Sequence, residues 1–182
     1  NALGANTTGS NNIAIGTGAL DASDTESDNI GIGYNALGSD NLQYTGGGYT
    51  TSAAHNVAIG SYALDAITTG PRNIAIGYNA LTDNTSAYMN IGIGDEALAN
   101  NTTAGMNIAI GEGTLASQSS GGERNIAIGV YAMNMNTSGD YSLAMGYGSM
   151  YYNTTGTSNV SLGMSSMWYN RGGDYNVSVG RG

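Results

Sequence analysis

The sequence contains no cysteine, no phenylalanine, a single proline and only four basic residues among 182. Without cysteine there is neither a disulfide nor a thiol nucleophile, so stability and chemistry must come from elsewhere. Thirteen acids against four bases leave a net charge of −9, with no cationic cluster to neutralise phosphates. That excludes nucleic acid as a partner and disfavours an anionic membrane surface. No apolar run approaches the ~20 residues that cross a bilayer, so membrane insertion by this segment is not expected. Charged residues amount to 9%, far below the usual quarter.

What fills the gap is polar without being charged: thirty glycines, with Asn, Thr, Ser, Ala and Ile. Disorder is the wrong reading, because short β-branched blocks such as Asn12-Ile13-Ala14-Ile15-Gly16 recur along the chain. The block Asn-(Ile/Val)-small-apolar-Gly begins at Asn12, Asn29, Asn56, Asn73, Asn90, Asn107, Asn125, Ser142, Asn159 and Asn176, and seven of the nine intervals are 17 residues. One interval is 18, and the one after Asn29 is 27, a period plus a ten-residue insertion placed at about 38–54. A second pair keeps the same register, from Ala19-Leu20 and Ala36-Leu37 to Ser149-Met150 and Ser166-Met167.

A fixed short period predicts a solenoid. The fold expected is all-β, a parallel β-roll or β-solenoid of about ten 17-residue coils, with 1–182 as one repeat domain cut from a longer fibre. In each coil Ile-small-Ile is a strand with two unlike faces. Gly16 and its equivalents bend the chain, Ala-Leu begins a second buried stretch, and turns such as Asn101-Thr102-Thr103 return to the next coil. Stacked Asn residues would form a column in which each amide donates to the next carbonyl, the alternative being that each Asn merely starts a turn.

The isoleucines are read as the inward face. The alternate face carries Ala14, Gly31, Ala58, Ala75, Gly92, Ala109, Ala127, Ala144, Ser161 and Ser178, all small. About three large apolar side chains per coil, each worth ~2 kcal/mol, poorly offset the ordering of a coil. These small residues are therefore expected to face a partner chain in a parallel homo-oligomer. The pattern leaves open the alternative that they pack inside a flattened coil.

Asn73-Ile74-Ala75-Ile76-Gly77-Tyr78-Asn79-Ala80-Leu81 and Asn125-Ile126-Ala127-Ile128-Gly129 resemble the head repeats of trimeric autotransporter adhesins of the YadA type. The 17-residue spelling with Asn-Thr-Thr turns is closer still to the repeat arrays of phage tail fibres. The resemblance covers essentially the whole chain and implies a left-handed roll, three chains side by side, and an extracellular role in attachment on a cell surface or virion. The period departs from the adhesin heads, where it is usually shorter.

The candidate sites are few. His55, the sole histidine, sits in a variable position just before Asn56, which speaks against a catalytic base. Paired carboxylates on one face are lacking, so no enzyme and no cofactor are expected. Asp21, Asp24, Glu26 and Asp28 have calcium-binding chemistry but match no calcium loop, and read as a solvated acidic edge. The Asn-X-Ser/Thr triplets match glycosylation acceptors, yet their register points to turn chemistry. The C-terminal coils are more aromatic: Tyr151, Tyr152, Trp168 and Tyr169 follow the core pair and could meet a cell-surface glycan, a protein receptor or a neighbouring chain. Tyr44 and Tyr49 in the insertion face the same choice. The expected function is a structural and adhesive segment of a homotrimeric fibre; the alternatives are a passive rigid spacer and an ice- or mineral-binding solenoid.

Overall fold

Nearly every block carries β-branched residues beside a small central one, all are closed by glycine, and each becomes a strand of three residues. In a computed structural model of the chain, which describes residues 1–22, 25–38, 53–118 and 120–182, the strands are β1 Ile13–Ile15, β2 Ile30–Ile32, β3 Val57–Ile59, β4 Ile74–Ile76, β5 Ile91–Ile93, β6 Ile108–Ile110, β7 Ile126–Ile128, β8 Leu143–Met145, β9 Val160–Leu162 and β10 Val177–Val179. They form one ten-stranded parallel sheet in sequence order, and no helix occurs among the described residues. The chain is a β-solenoid. The insertion leaves the register intact, since Ile30 pairs with Val57 as Ile13 pairs with Ile30.

Bonding between coils continues well beyond the strands. Tyr62 N donates to Tyr34 O at 2.9 Å, Leu64 N to Ala80 O at 3.0 Å and Asp83 N to Ala99 O at 2.9 Å. Nearly every stretch of a coil therefore has a backbone partner above or below, which is what a fold with three-residue strands requires.

The interior is one leucine thick. Leu20, Leu37, Leu64, Leu81, Leu98, Leu115, Met133 and Met150 form a fully buried column, flanked by the buried Ala, Thr or Ser that precedes each. The opposite wall is made by the small strand residues. Ala58, Ala75, Ala109, Ala127 and Ala144 have no exposed surface, Gly31 and Gly92 are buried, and Ala14 in the first coil is partly buried. This corrects the expected faces: the small residues line the core of their own chain and do not face a partner, whereas the isoleucines point outward. The reason is room. A Cβ on Gly92 would already lie 3.3 Å from Leu81 Cδ1, so the space opposite the leucine holds only a small side chain. In the last coils this wall turns polar, with Ser149 Oγ donating to Ser161 Oγ at 2.8 Å and Ser166 Oγ to Ser178 Oγ at 2.9 Å.

Two columns of buried asparagine tie the coils together. The Asn that opens each block accepts the N–H of its counterpart in the next coil, as Asn73 Oδ1 does from Asn90 N at 2.9 Å. Its Nδ2 donates to a carbonyl in the next turn, Ala87 O for Asn73 at 2.9 Å and Ala104 O for Asn90 at 3.0 Å. The Asn of each Asn-Thr turn grips that same residue from its own coil: Asn84 Oδ1 accepts from Ala87 N at 2.8 Å and Asn101 Nδ2 donates to Ala104 O at 2.9 Å. The expected amide-to-amide ladder is thus mostly a side-chain-to-backbone network. Positive φ belongs instead to other residues, including the buried leucines, at φ 52 for Leu64 and 55 for Leu98. Such backbone costs an L-residue ~1 kcal/mol, and the inter-coil bonds on either side hold it.

The 18-residue coil explains itself by the same network. Gln118 replaces the turn Asn, and its Nε2 donates to Gly122 O, four residues on, where Asn reaches three. One extra methylene matches one extra residue. Gln118→Asn should therefore lower stability by ~1–3 kcal/mol by stranding a buried carbonyl, and additional deletion of Ser120 should restore most of it in thermal or urea unfolding. At Gly94, where φ is 137, a Cβ would come within 2.6 Å of the Gly111 carbonyl. Gly94→Ala should cost at least ~3 kcal/mol, read in the same unfolding experiment.

Candidate functional site

Two surface features stand out once the faces are known. The first is the outer face of the sheet. Both large residues of each strand point away from the core, so two columns of Ile, Val, Leu and Met run the length of ten coils. Ile13 and Ile15 are 50% and 59% exposed in the first coil. Val177 and Val179 are exposed in the last coil, Ile59, Ile126 and Met145 in the middle of the stack, and the rest are half-buried by their own neighbours. A continuous apolar stripe of this kind is the chain's candidate interaction surface.

Exposed polar and aromatic residues edge the stripe. Before the strands stand Asp28, His55, Arg72, Met89, Arg124 and Tyr141; after them stand Tyr34, Tyr78, Asp95, Glu112 and Tyr147. Tyr62 packs edge-on between Tyr34 and Tyr78 at 5.3 and 6.1 Å, and partial desolvation there raises its phenol above the ordinary range. Tyr131 donates to Glu112 Oε1 at 2.9 Å, a bond that raises its phenol in the same direction. Sequence reading missed this tyrosine group because its members alternate between two adjacent positions, and only the coil brings them together.

The second feature is the aromatic cluster of the C-terminal coils. Tyr151, Tyr152, Trp168 and Tyr169, singled out by register, do meet. Trp168 stacks on Tyr151 at 4.6 Å with planes 9° apart, Tyr169 stacks on Tyr152 at 5.4 Å and 4°, and the two stacks touch edge-on. Gly148 lies directly beneath the Trp168 ring, where any Cβ would collide. Tyr147, Trp168, Tyr169, Met167 and Asn170 border an open cleft of about 620 Å³. Tyr169 is 71% exposed, so one ring of the cluster is offered to solvent while the others are half-covered.

The remaining candidates do not converge. Asp21 Oδ1 accepts from Gly4 N at 3.0 Å, Asp28 Oδ1 from Asn11 Nδ2 at 2.9 Å, and the buried Glu26 carboxylate accepts from Thr25 N at 3.1 Å. Asp24, Tyr44, Tyr49 and most of the insertion lie outside the described residues. No group of three metal-ligating side chains occurs among the described residues. His55 Nε2 lies 3.6 Å from Asp28 Oδ2 at the exposed edge. Asn84, Asn101, Asn136 and Asn153 of the glycosylation triplets are fully buried, their amides held in the turn, which supports the turn reading. Hydroxyls of the adjoining threonines also serve the stack, Thr85 Oγ1 donating to Thr102 O at 3.1 Å and Thr154 Oγ1 to Arg171 O at 2.7 Å.

Trp168→Ala should cost ~2 kcal/mol in unfolding, because stacking and buried area are both lost. Tyr169→Ala should stay within ~0.5 kcal/mol of the parent. None of the family models, curated proteins or solved structures compared with the chain matches it.

Proposed function

We propose that this chain is a structural and adhesive segment of a homotrimeric extracellular fibre, such as a phage tail fibre or a bacterial surface adhesin, and not an enzyme. The observation that carries the reading is the ten-coil apolar stripe on the outside of the sheet. A rod about 45–50 Å long, at ~4.8 Å per coil, with one greasy side along its full length is built to lie against parallel neighbours. The number three and the extracellular setting come from the resemblance of the Asn-Ile-Ala-Ile-Gly blocks, and the β-solenoid is the fold that resemblance implies. Adhesion is assigned to the aromatic cluster around Trp168 and Tyr169, whose flat rings and open cleft suit a sugar ring or a protein loop.

Light scattering on the purified chain should give three times the 18.4 kDa chain mass. Ile91→Asp together with Ile93→Asp, on the outer face of β5, should convert it to monomer or to soluble misfolded chain. A wild-type chain that is monomeric and stable at all concentrations would refute the assembly. Glycan-array binding lost in Tyr169→Ala would support adhesion, and absence of binding with an intact rod would leave the spacer role alone.

A further inference from the structure

The two edges of the apolar stripe are complementary to each other, although they cannot meet within one chain. Through the middle coils the edge before the strands reads Arg72, Met89, Met106, Arg124, and the edge after them reads Tyr78, Asp95, Glu112, Val130. Cations therefore flank an apolar pair on one side, while an aromatic and an apolar residue flank two acids on the other. Arg72, Asp95 and Glu112 are exposed. Among the described residues neither Arg72 nor Asp95 has a side-chain partner. Arg124 Nη1 is shared between Glu123 Oε2 at 3.1 Å and the Tyr141 hydroxyl at 2.9 Å, and its side chain is still 43% exposed.

Symmetry decides what these edges meet. When copies stand parallel around an axis along the stack, the leading edge of each copy meets the trailing edge of the next, a heterologous contact that closes into a ring. Ring closure keeps the copies level, so Arg72 faces Tyr78 of its neighbour, and Asp95 is one coil away, a step of ~4.8 Å within the span of an arginine side chain. Arg124 stands opposite Val130 with Glu112 one coil away on the other side. In an antiparallel twofold pair centred on these coils each edge would meet itself, leaving acids against acids and Arg72 against Arg124.

We propose that a second copy of this chain docks along the stripe in parallel orientation, with Arg72 pairing to Asp95 and Arg124 to Glu112 of the neighbour, and that this seam selects orientation and axial level. The proposal rests on association through the apolar stripe, which supplies affinity; the charged edges supply direction, as complementary charges do at interfaces.

The test is charge exchange at the exposed pair, in the full chain, read by sedimentation at low and high salt. Arg72→Asp alone and Asp95→Arg alone should each weaken association about fivefold per interface at low salt, with an unchanged β-type circular dichroism spectrum. Combining the two should restore wild-type association, because the exchanged charges face each other again across every contact of the ring. A combined variant as weak as either single one, or single variants indistinguishable from wild type, would overturn the seam while leaving the stripe intact. A monomeric wild type would overturn both.

Discussion

Everything in this fold follows from how little room lies between the two walls of a coil. One leucine fills it. The strand residue opposite must then be Ala, Gly or Ser, and the larger members of the strand are driven to the other face. Burial normally recruits the largest side chains into the core; here two of the three large residues in each coil stay outside it. The core is narrow, continuous and repetitive, and the chain's greatest apolar potential lies on its surface. A molecule built so buries only part of its apolar surface within its own chain.

Polar groups supply what the thin core cannot. Seventeen residues with three in a strand leave much backbone to be satisfied, and the turn residue held by two asparagines is where that need is met: Ala87 and Ala104 each receive a bond from the turn Asn of their own coil and another from the block Asn of the coil before. Buried amides with both ends bonded are inexpensive, whereas any one left open would be severe. Ser142, accepting from Asn159 N, and Gln118, serving the longer turn, keep hydrogen-bonding ability at their positions, whereas the fully buried Ile67 fills the turn-Asn position of its coil with an apolar side chain. The left-handed leucines are held within the same lattice.

Period, strand positions, the parallel order and the Leu column were legible in the sequence, because each is a matter of register and register survives in one dimension. The meeting of Tyr151, Tyr152, Trp168 and Tyr169 was legible for the same reason. The assignment of faces was not. Ile-Ala-Ile states that two faces differ without stating which is inside, and the ordinary rule that large apolar residues are buried gave the reverse of the structure. Only the thickness of the coil, set by Leu81 against Gly92 and its equivalents, decides it. The Tyr34, Tyr62 and Tyr78 group and the charged edges were hidden because they depend on which positions flank a face whose direction was unknown.

The asparagine column also has a sense. Every block Asn offers its acceptor, and in most coils its donor, to the coil that follows it in the chain, as Asn73 does toward Asn90 and Ala87. A finished coil thus presents a preformed pair of side-chain bonding groups to the coil that follows it, while the backbone bonds run both ways, Leu64 N donating to Ala80 O and Tyr62 N to Tyr34 O. Growth onto an existing stack orders one coil against a template, whereas starting a new stack orders two at once. In such a stack starting is slower than extending, and the asparagine acceptors give every junction between coils the same polarity along the rod.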